Sequence, residues 1–459
     1  MATEQTSTVE RGLRKLQGGI LKRKRFSVAF LTICSLIAGG FAANPASAAI
    51  PSITIWVDAP RLPGAQAYAA AMKGKVNAKV ELHDQADMLR KVNLFNRVKK
   101  GWPDVVFGPP NDVGPLMDAS YALPLNKLAP ASFWKDVAPF NGWCKLSTGE
   151  YMCVKDDIAQ TVLWVNTKLM KDFGYTVPKT MKEFAAIGAD IAANHKGYSL
   201  GALGDLGMYS SYLWPSQCPL NEAKSGDLVR IAPKSPKCTR VASLLQPMVT
   251  SGVLSTSAAW DADFIEDFAK PNKVVMTIGP SWFGEYIIRP ASSWNVPAGQ
   301  MTAAEMPLWE GEKVNYSGEW GGGIYTVSRH YKTPKVAMDF IKFMISDKRV
   351  VVDAKNPDGS RGVVTYPASL SGVKLWQDKL NKDPYYAKTP IPAMNAAGAK
   401  IYGGEKFVSY DSWGSMQGAF GADFKKNKDV QAAIDAAAKT LSSLAENSTV
   451  VKSDVLLIK

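Results

Sequence analysis

The sequence has few histidines and few cysteines, which limits the chemistry that it can support. The 459 residues include only five cysteines and three histidines, His83, His195 and His330. The cysteine spacings do not match those of structural zinc sites, so we expect no metal site. Dense runs of basic residues are missing from Lys73 to Lys459, and nucleic acid is therefore not expected as a partner. Repeats with a period of roughly 20 to 50 residues are also missing, which excludes solenoids and propellers.

The first 48 residues have the parts of a secretory signal peptide. The cationic stretch RGLRKLQGGILKRKR precedes the apolar run FSVAFLTICSLIAGGFAA, and the small residues ASA follow at 46–48. This order predicts export, with cleavage before Ala49. An uncleaved membrane anchor is the alternative, because the apolar run is almost long enough to span a bilayer. Lipidation of Cys34 is disfavoured, since Ile33 stands where a small residue would be needed.

Loss of this leader changes both the charge and the cysteine count. It removes seven basic and two acidic residues, which leaves 47 basic and 39 acidic residues and a net charge of +8. Four cysteines remain, and an even number in an exported protein predicts disulfides. Local pairing, Cys144 with Cys153 and Cys218 with Cys238, is the simplest of the three connectivities because each pair encloses a short polar loop.

Short β-rich runs alternate with helical patterns along the rest of the chain. The pattern predicts strands at 52–58, 78–82, 103–108, 161–166, 197–203 and 273–279. It predicts helices between the first three strands and at 180–194, 333–347 and 429–446. Because parallel strands need crossover connections, this alternation predicts an α/β protein with at least two lobes, built on doubly wound, mostly parallel sheets.

Five segments, taken in order, carry a resemblance to a known family. They are ITIWVD, GWPDVVFGPPNDVGPLMDASYALPLNKL, GEYMCVKDDIAQTVLWVNTKLMKDFGYTVPKTMKEF, NKVVMTIGPSW and EWGGGIYTVSRHYKTPKVAMDFIKFM. Together they resemble the exported solute-binding proteins of carbohydrate ABC transporters, the maltose-binding-protein-like extracellular solute-binding protein family 1. The similarity covers nearly all of the mature chain. The third segment departs from the pattern, with Val154 or Lys155 where proline is usual and Val165 where tyrosine is usual.

The resemblance implies a periplasmic-binding-protein-like clamshell whose two lobes are joined by interlobe crossing strands. It places the first lobe at 49–157 plus 323–362 and the second at 158–322 plus 363–459. It further implies a monomer without cofactor or catalytic activity, located in the periplasm or at the cell surface. Such a protein binds a sugar and delivers it to the membrane permease subunits of an ABC importer.

Carboxylates are needed at a sugar site because they accept hydrogen bonds from the hydroxyl groups of the ligand. Asp58 and Asp112 follow predicted strands, at the edge where ligands bind in open α/β sheets. Helix capping or turn formation is the alternative role for both. The resemblance places Asp157 at the first crossing between the lobes, facing the cleft, with its neighbour Asp156 as the alternative.

Aromatic rings are needed because they pack against the apolar C–H face of a sugar. The resemblance assigns this role to Trp282, which follows the strand MTIGPS, and core packing is the alternative. Trp413 matches a C-terminal aromatic residue that stacks on ligand in several members. Tyr209 matches only loosely. Trp56 alternates with apolar neighbours on a buried strand, so it is expected to serve both core and cleft.

The segment SGEWGGGIYTVS at 317–328 places a carboxylate and an indole before three glycines. The resemblance puts Glu319 and Trp320 at the second crossing between the lobes. Gly321, Gly322 and the following glycine would then let a sugar approach the backbone. A hairpin with an incidental tryptophan is the alternative.

Two enzymatic hypotheses compete with binding. The pentapeptide GYSLG at 197–201 fits the G-x-S-x-G motif of α/β-hydrolases, but a helix is predicted before it and none directly after it. His330 is also the only histidine downstream of Ser199. A secreted carbohydrate-active hydrolase that uses two cleft carboxylates is the second hypothesis. We expect no catalysis, and 13 Trp and 16 Tyr favour a di- or oligosaccharide as ligand.

The leader gives the first testable prediction. The intact mass of the exported protein should correspond to a start at Ala49 or Ile50, because signal peptidase cleaves after the small residues ASA. Mass spectrometry of the protein recovered from the producing cell measures this directly. A mass that retains Met1 or Ala2 would mean that the apolar run is kept as an anchor.

Overall fold

The structure is a computed structural model that describes residues 49–146, 148–223, 229–355, 365–404, 408, 410–447 and 456–457. The predicted signal peptide lies outside the described residues. Among the helices that are described, none is both long enough and apolar enough to cross a membrane.

Strands and helices alternate along the described chain. The strands are β1 (Ser52–Val57), β2 (Asn77–Leu82), β3 (Val105–Gly108), β4 (Val154–Lys155), β5 (Asp157–Ile158), β6 (Thr161–Asn166), β7 (Glu222–Ala223), β8 (Val229–Ile231), β9 (Met276–Pro280), β10 (Met301–Ala304), β11 (Ile324–Val327), β12 (Tyr366–Pro367) and β13 (Leu456–Leu457). The helices are α1 (Leu62–Ala71), α2 (Gln85–Val98), α3 (Val113–Asp118), α4 (Ala131–Val137), α5 (Thr167–Asp172), α6 (Met181–Asn194), α7 (Pro236–Thr250), α8 (Ala262–Phe264), α9 (Pro334–Ser346), α10 (Lys348–Val351), α11 (Leu370–Leu380), α12 (Ile391–Gly398), α13 (Ser412–Phe420), α14 (Ala422–Asn427) and α15 (Val430–Asn447). Short 3-10 or π-helical turns occupy Pro110–Asp112, Gly142–Cys144, Tyr209–Leu213, Ile265–Ala269 and Gly284–Ile288.

The first sheet has the strand order β2-β1-β3-β11-β4. Strand β1 pairs in parallel with β2 and β3, as the sequence predicts, whereas β11 runs antiparallel to β3 and β4. The carboxyl ends of β1 and β3 therefore meet at one edge of the sheet. Asp58 follows the first of these ends and the turn Pro110–Asp112 follows the second.

The second sheet has the order β10-β6-β9, and both of its pairings are antiparallel. The expectation of a mostly parallel sheet is therefore wrong for these strands, although the bridges Ser199↔Val274 and Ala202↔Ser255 are parallel. The reason is the path of the chain. Strand β6 leaves the segment that joins the two sheets, whereas β9 runs back towards it and pairs Pro280 with Thr161.

Three segments run side by side between the two sheets, and we call them the crossing segments: 156–161, 317–323 and 365–368. The Asp156 N–H donates to the Gly323 carbonyl at 2.8 Å, and the Ala368 N–H donates to the Asp156 carbonyl at 3.0 Å. The Trp320 N–H donates to the Ala159 carbonyl at 2.9 Å. Ladder hydrogen bonds of this kind fix the register of all three segments.

Separate apolar cores lie on the two sides of the crossing segments. One core draws its buried residues from 53–154 and 325–350, and the other from 158–320 and 351–445. The structure is thus a two-lobed α/β fold with crossing strands. The exact lobe boundaries given above stay a prediction.

Two disulfides are present, Cys144–Cys153 and Cys218–Cys238. These are the two local pairs that the sequence favours. The first closes a surface loop beside β4, and the second ties the start of α7 to the turn that follows Tyr209–Leu213. Each crosslink restricts the unfolded chain and so stabilises the folded protein.

Candidate functional site

A cavity of about 1020 Å³ is lined by residues from the first sheet, from α2, from the turn that follows β9 and from the crossing segments. Eight of the eleven residues that the sequence singles out for ligand binding line this cavity: Asp58, Asp112, Asp157, Trp282, Trp320, Gly321, Gly322 and Trp413. The structure thus brings together residues that are up to 355 positions apart in the chain. Their contact with a ligand stays a prediction.

Arg61 joins the end of β1 to the first crossing segment. Its Nε donates to Asp156 Oδ2 at 2.9 Å and its Nη2 to Asp157 Oδ1 at 3.0 Å. Its Nη1 lies 3.4 Å from Asp58 Oδ2, and its guanidinium carbon is 4.2 Å from the ring centroid of Phe107. The planar guanidinium therefore binds three carboxylates while it packs on an aromatic face.

Burial raises the pKa of Asp156 to about 6, against the opposing effect of Arg61. Burial also raises the pKa of Asp157, which Arg61 and Lys155 oppose. Asp157 receives a further hydrogen bond from the Gly323 N–H at 2.9 Å. These carboxylates are charge-paired and hydrogen-bonded, which is the condition for burying a charge.

Asn111 and Asp112 follow β3 and reach residues of α13. Asn111 Nδ2 donates to Asp411 Oδ1 at 2.9 Å, and Asp411 also caps α13 by accepting from the Gly414 N–H at 2.9 Å. Burial and the negative charge of Asp411 raise the pKa of Asp112 to about 8. Asp112 is therefore mostly protonated at neutral pH, and its hydroxyl can donate a hydrogen bond.

Five aromatic side chains line the cavity: Phe107, Trp282, Tyr286, Trp320 and Trp413. The Trp282 indole donates to the Trp320 carbonyl at 2.7 Å, and the two rings meet edge to face with centroids 5.7 Å apart. Tyr286 lies on the next turn, with its ring 6.0 Å from that of Trp282. Trp413 is buried at the start of α13, and its Nε1 has no hydrogen-bond partner among the described residues. The wall is apolar but retains polar edges.

The glycines of the second crossing have steric reasons that involve the protein itself. Gly321 and Gly322 have φ values of +109° and +75°, in the region that favours glycine. A Cβ on Gly323 would lie 2.1 Å from the ring of Phe107. These glycines line the cavity, but tight backbone packing already requires them.

Three predicted ligand residues, Trp56, Tyr209 and Glu319, are not among the cavity-lining residues. Trp56 donates its indole N–H to Glu81 at 2.7 Å and stacks on His83 at 3.6 Å, on the other face of β1. Tyr209 is fully buried in the second core. Glu319 is buried in an ion pair with Lys155. The structure therefore gives no support for direct ligand contacts by these three side chains.

Several cavity residues are missed by the sequence analysis. Arg61 lies three positions after Asp58. Tyr286 lies four positions after Trp282, and this spacing places the rings of Trp282 and Tyr286 on one helical face. Arg90, Asn93 and Arg97 line the cavity from α2. Their spacing of three and four residues is the signal that predicts a shared face.

The sequence of the chain matches a known protein family. The model of the bacterial extracellular solute-binding protein family matches residues 65–353, which is more than half of the chain. The chain belongs to this family. No curated protein matches the sequence significantly.

Solved structures share the fold of this solute-binding protein. The galacto-N-biose/lacto-N-biose I-binding protein of an ABC transporter from Bifidobacterium longum superposes with a TM-score of 0.70 at 16% identity, covering 87% of this chain and 97% of that one. An ABC transporter-associated binding protein from B. animalis subsp. lactis gives 0.66 at 18% identity, covering 85% and 97%. The GacH receptor of Streptomyces glaucescens gives 0.64 at 17% identity, covering 87% and 99%.

The serine hydrolase hypothesis finds no support in this solute-binding protein. Ser199 is fully buried, and its hydroxyl donates to the Val253 carbonyl at 3.0 Å. It also accepts from the Gly201 N–H at 3.0 Å. No helix follows Ser199 directly, because the next helical segment is the π-helical turn Tyr209–Leu213. A nucleophile elbow requires an exposed serine between a strand and a helix.

The Arg61 cluster predicts a pH-dependent cost of substitution. Arg61→Met should lower the free energy of unfolding by about 3–5 kcal/mol at pH 7, because it leaves buried carboxylates without their cation. The loss should shrink below pH 6, where protonation removes the charge of Asp156. Denaturant unfolding at pH 7 and pH 5 measures both effects.

Arg90→Met, at a side chain that is 70% exposed, is the matched control and should change stability by at most about 0.5 kcal/mol. An equal loss in the two variants, or one that ignores pH, would contradict the assigned role.

Asp112 predicts a second pH effect. Its pKa is higher in the folded protein than in the unfolded chain, so its contribution to stability is complete below pH 4 and is lost as the pH rises through about 8. Asp112→Asn keeps the shape of the protonated side chain and should raise the free energy of unfolding at pH 9 by about 1–3 kcal/mol. Denaturant unfolding from pH 5 to pH 9 checks this. A variant that follows the wild-type profile throughout would show that Asp112 does not titrate as described.

Proposed function

We propose that this solute-binding protein captures a di- or oligosaccharide outside the cytoplasmic membrane and delivers it to an ABC importer. The observation that carries the proposal is the composition of the cavity. Five aromatic rings share one cavity with Asp58, Asp112 and Asp157. Rings suit the C–H faces of a sugar, and carboxyl groups suit its hydroxyls. The volume of about 1020 Å³ accommodates more than one sugar ring.

The ligands of the structural neighbours support the size and class of ligand. The B. longum protein is in complex with lacto-N-biose, and the B. animalis subsp. lactis protein is in complex with β-1,6-galactobiose. The GacH receptor was crystallised with acarbose. These ligands all contain at least two linked rings, and we extend that class to the present cavity.

The proposal includes a clamshell motion. Lobes at 49–157 plus 323–362 and at 158–322 plus 363–459 would rotate about the crossing segments and enclose the ligand. The hydrogen bond from Asn111 to Asp411 joins residues of the two proposed lobes, so it would break when they separate. We propose that the protein works as an exported monomer and that its closed form binds the permease subunits.

We also propose that the protein is not an enzyme. Asp58 and Asp157 both bind Arg61, and an ion pair with a guanidinium makes a carboxylate a weaker nucleophile. The competing hypothesis is a hydrolase that uses cleft carboxylates. Incubation with the bound sugar, followed by an assay for new reducing ends, separates the two, and a released reducing end would contradict binding without catalysis.

Trp282 tests the sugar site. A thermal-shift panel of sugars first finds the ligand, which at 100 times its dissociation constant should stabilise the protein by roughly 2.7 kcal/mol. Trp282→Ala should then weaken binding by at least about thirtyfold, because a stacking aromatic anchor contributes about 2 kcal/mol or more. Titration calorimetry measures the affinity, and thermal melting measures stability.

Trp134→Ala is the matched control for this experiment. Trp134 is also half-buried, donates its indole N–H to a backbone carbonyl and does not line the cavity. It should leave sugar affinity within about twofold. Unchanged affinity in Trp282→Ala, together with a loss of roughly 3–5 kcal/mol of stability, would assign Trp282 to the core instead.

A further inference from the structure

Helix α2 presents a polar face to the cavity. Arg90, Asn93 and Arg97 line it, together with Leu89 and Leu94. The opposite face is buried, with Met88 and Val92 in the core. Because residues three and four apart share one side of a helix, the three polar side chains form a continuous stripe. We call these three residues the α2 stripe.

The two arginines of the α2 stripe differ from Arg61 in how their charges are balanced. Arg61 is buried and binds three carboxylates. Within the described part of the chain, Arg90 pairs only with Asp87, one turn earlier, and the two side chains are 70% and 45% exposed. Arg97 is exposed and has no ion-pair partner among the residues that the structure describes. Both guanidinium groups can therefore bind an incoming anion.

The other carboxyl groups of the cavity belong to segments outside α2. Asp58 and Asp157 are engaged by Arg61. Asp411 accepts hydrogen bonds from Asn111 and the Gly414 N–H. Asp112 is mostly uncharged at neutral pH because burial raises its pKa to about 8. The exposed positive charge of the cavity wall is thus concentrated on α2.

We propose that the sugar bound by this protein carries an anionic substituent, a carboxylate or a sulfate, and that Arg90 and Arg97 bind it. This inference rests on the proposed sugar-binding function and names the class of ligand. Guanidinium groups donate two parallel hydrogen bonds to such planar or tetrahedral anions. Asn93 lies between the arginines in the stripe and binds a neighbouring hydroxyl of the sugar.

Pairs of sugars that differ in one charge test the proposal. Digalacturonate is compared with galactobiose, and lactose 3′-sulfate with lactose, by calorimetry in 20 mM NaCl. The wild-type protein should bind the anionic member of at least one pair at least about threefold more tightly, as expected for two exposed charge pairs. The pair that shows the preference distinguishes a carboxylate from a sulfate. Raising NaCl to 500 mM should remove most of the preference.

Variants locate the effect. Arg90→Gln with Arg97→Gln should abolish the preference for the anionic member over the neutral member of the same pair. Lys100→Gln removes a charge just beyond α2 at an exposed residue that does not line the cavity, and it should keep the preference.

The possible outcomes distinguish failure of the anion-binding inference from failure of the proposed sugar-binding function. Binding of neutral sugars without any preference for their anionic partners would overturn this inference and leave the proposed function intact. A preference that persists in the arginine double variant would overturn the assignment to α2. Binding of neither class would overturn both the sugar-binding function and the inference that rests on it.

Discussion

The buried guanidinium of Arg61 is the constraint on which the rest of the site depends. Three aspartates approach it from two segments that are about 95 residues apart in sequence. Carboxylates at these positions would be too costly to bury without a cation. By binding all three, Arg61 fixes the end of β1 against the first crossing segment. Arg61, Asp58 and Asp157 therefore form a rigid polar surface before any ligand binds, and we call this surface the floor of the cavity.

The same cluster explains the composition of the second crossing segment. Arg61 packs over the face of the Phe107 ring. The edge of the same ring leaves no room for a side chain at Gly323. The Gly323 N–H completes the hydrogen bonds of Asp157. Trp320, three residues before Gly323, supplies the carbonyl that orients the indole of Trp282. Gly323 is thus required by close packing beside this ion cluster, whereas the positive φ values of Gly321 and Gly322 favour glycine there.

The sequence predicts the parts of the fold that depend on local pattern and misses those that depend on distant partners. The first three strands, their parallel order and the position of Asp58 follow from periodicity and from the carboxyl-end rule. Strand direction in the second sheet does not, because periodicity carries no information about direction. The sequence predicts a ligand contact for Glu319, and its ion pair with Lys155, 164 residues away, is not visible in any local pattern. It predicts that Trp56 serves both core and cleft, because alternation does not say which face of an inner strand meets the cleft; in the structure Trp56 stacks on His83.

Burial separates two kinds of charge in the cavity, and the separation bears on specificity. A buried charge must be neutralised by the protein itself, so the carboxylates around Arg61 are already satisfied and can serve only as hydrogen-bond acceptors. An exposed charge has no such requirement, since water solvates it until a ligand arrives. The arginines of α2 are of this second kind. The floor can therefore accept the hydroxyl pattern of many sugars, whereas the α2 stripe can discriminate by charge. Changes on α2 would alter specificity without disturbing the ion cluster that fixes the end of β1 against the first crossing segment.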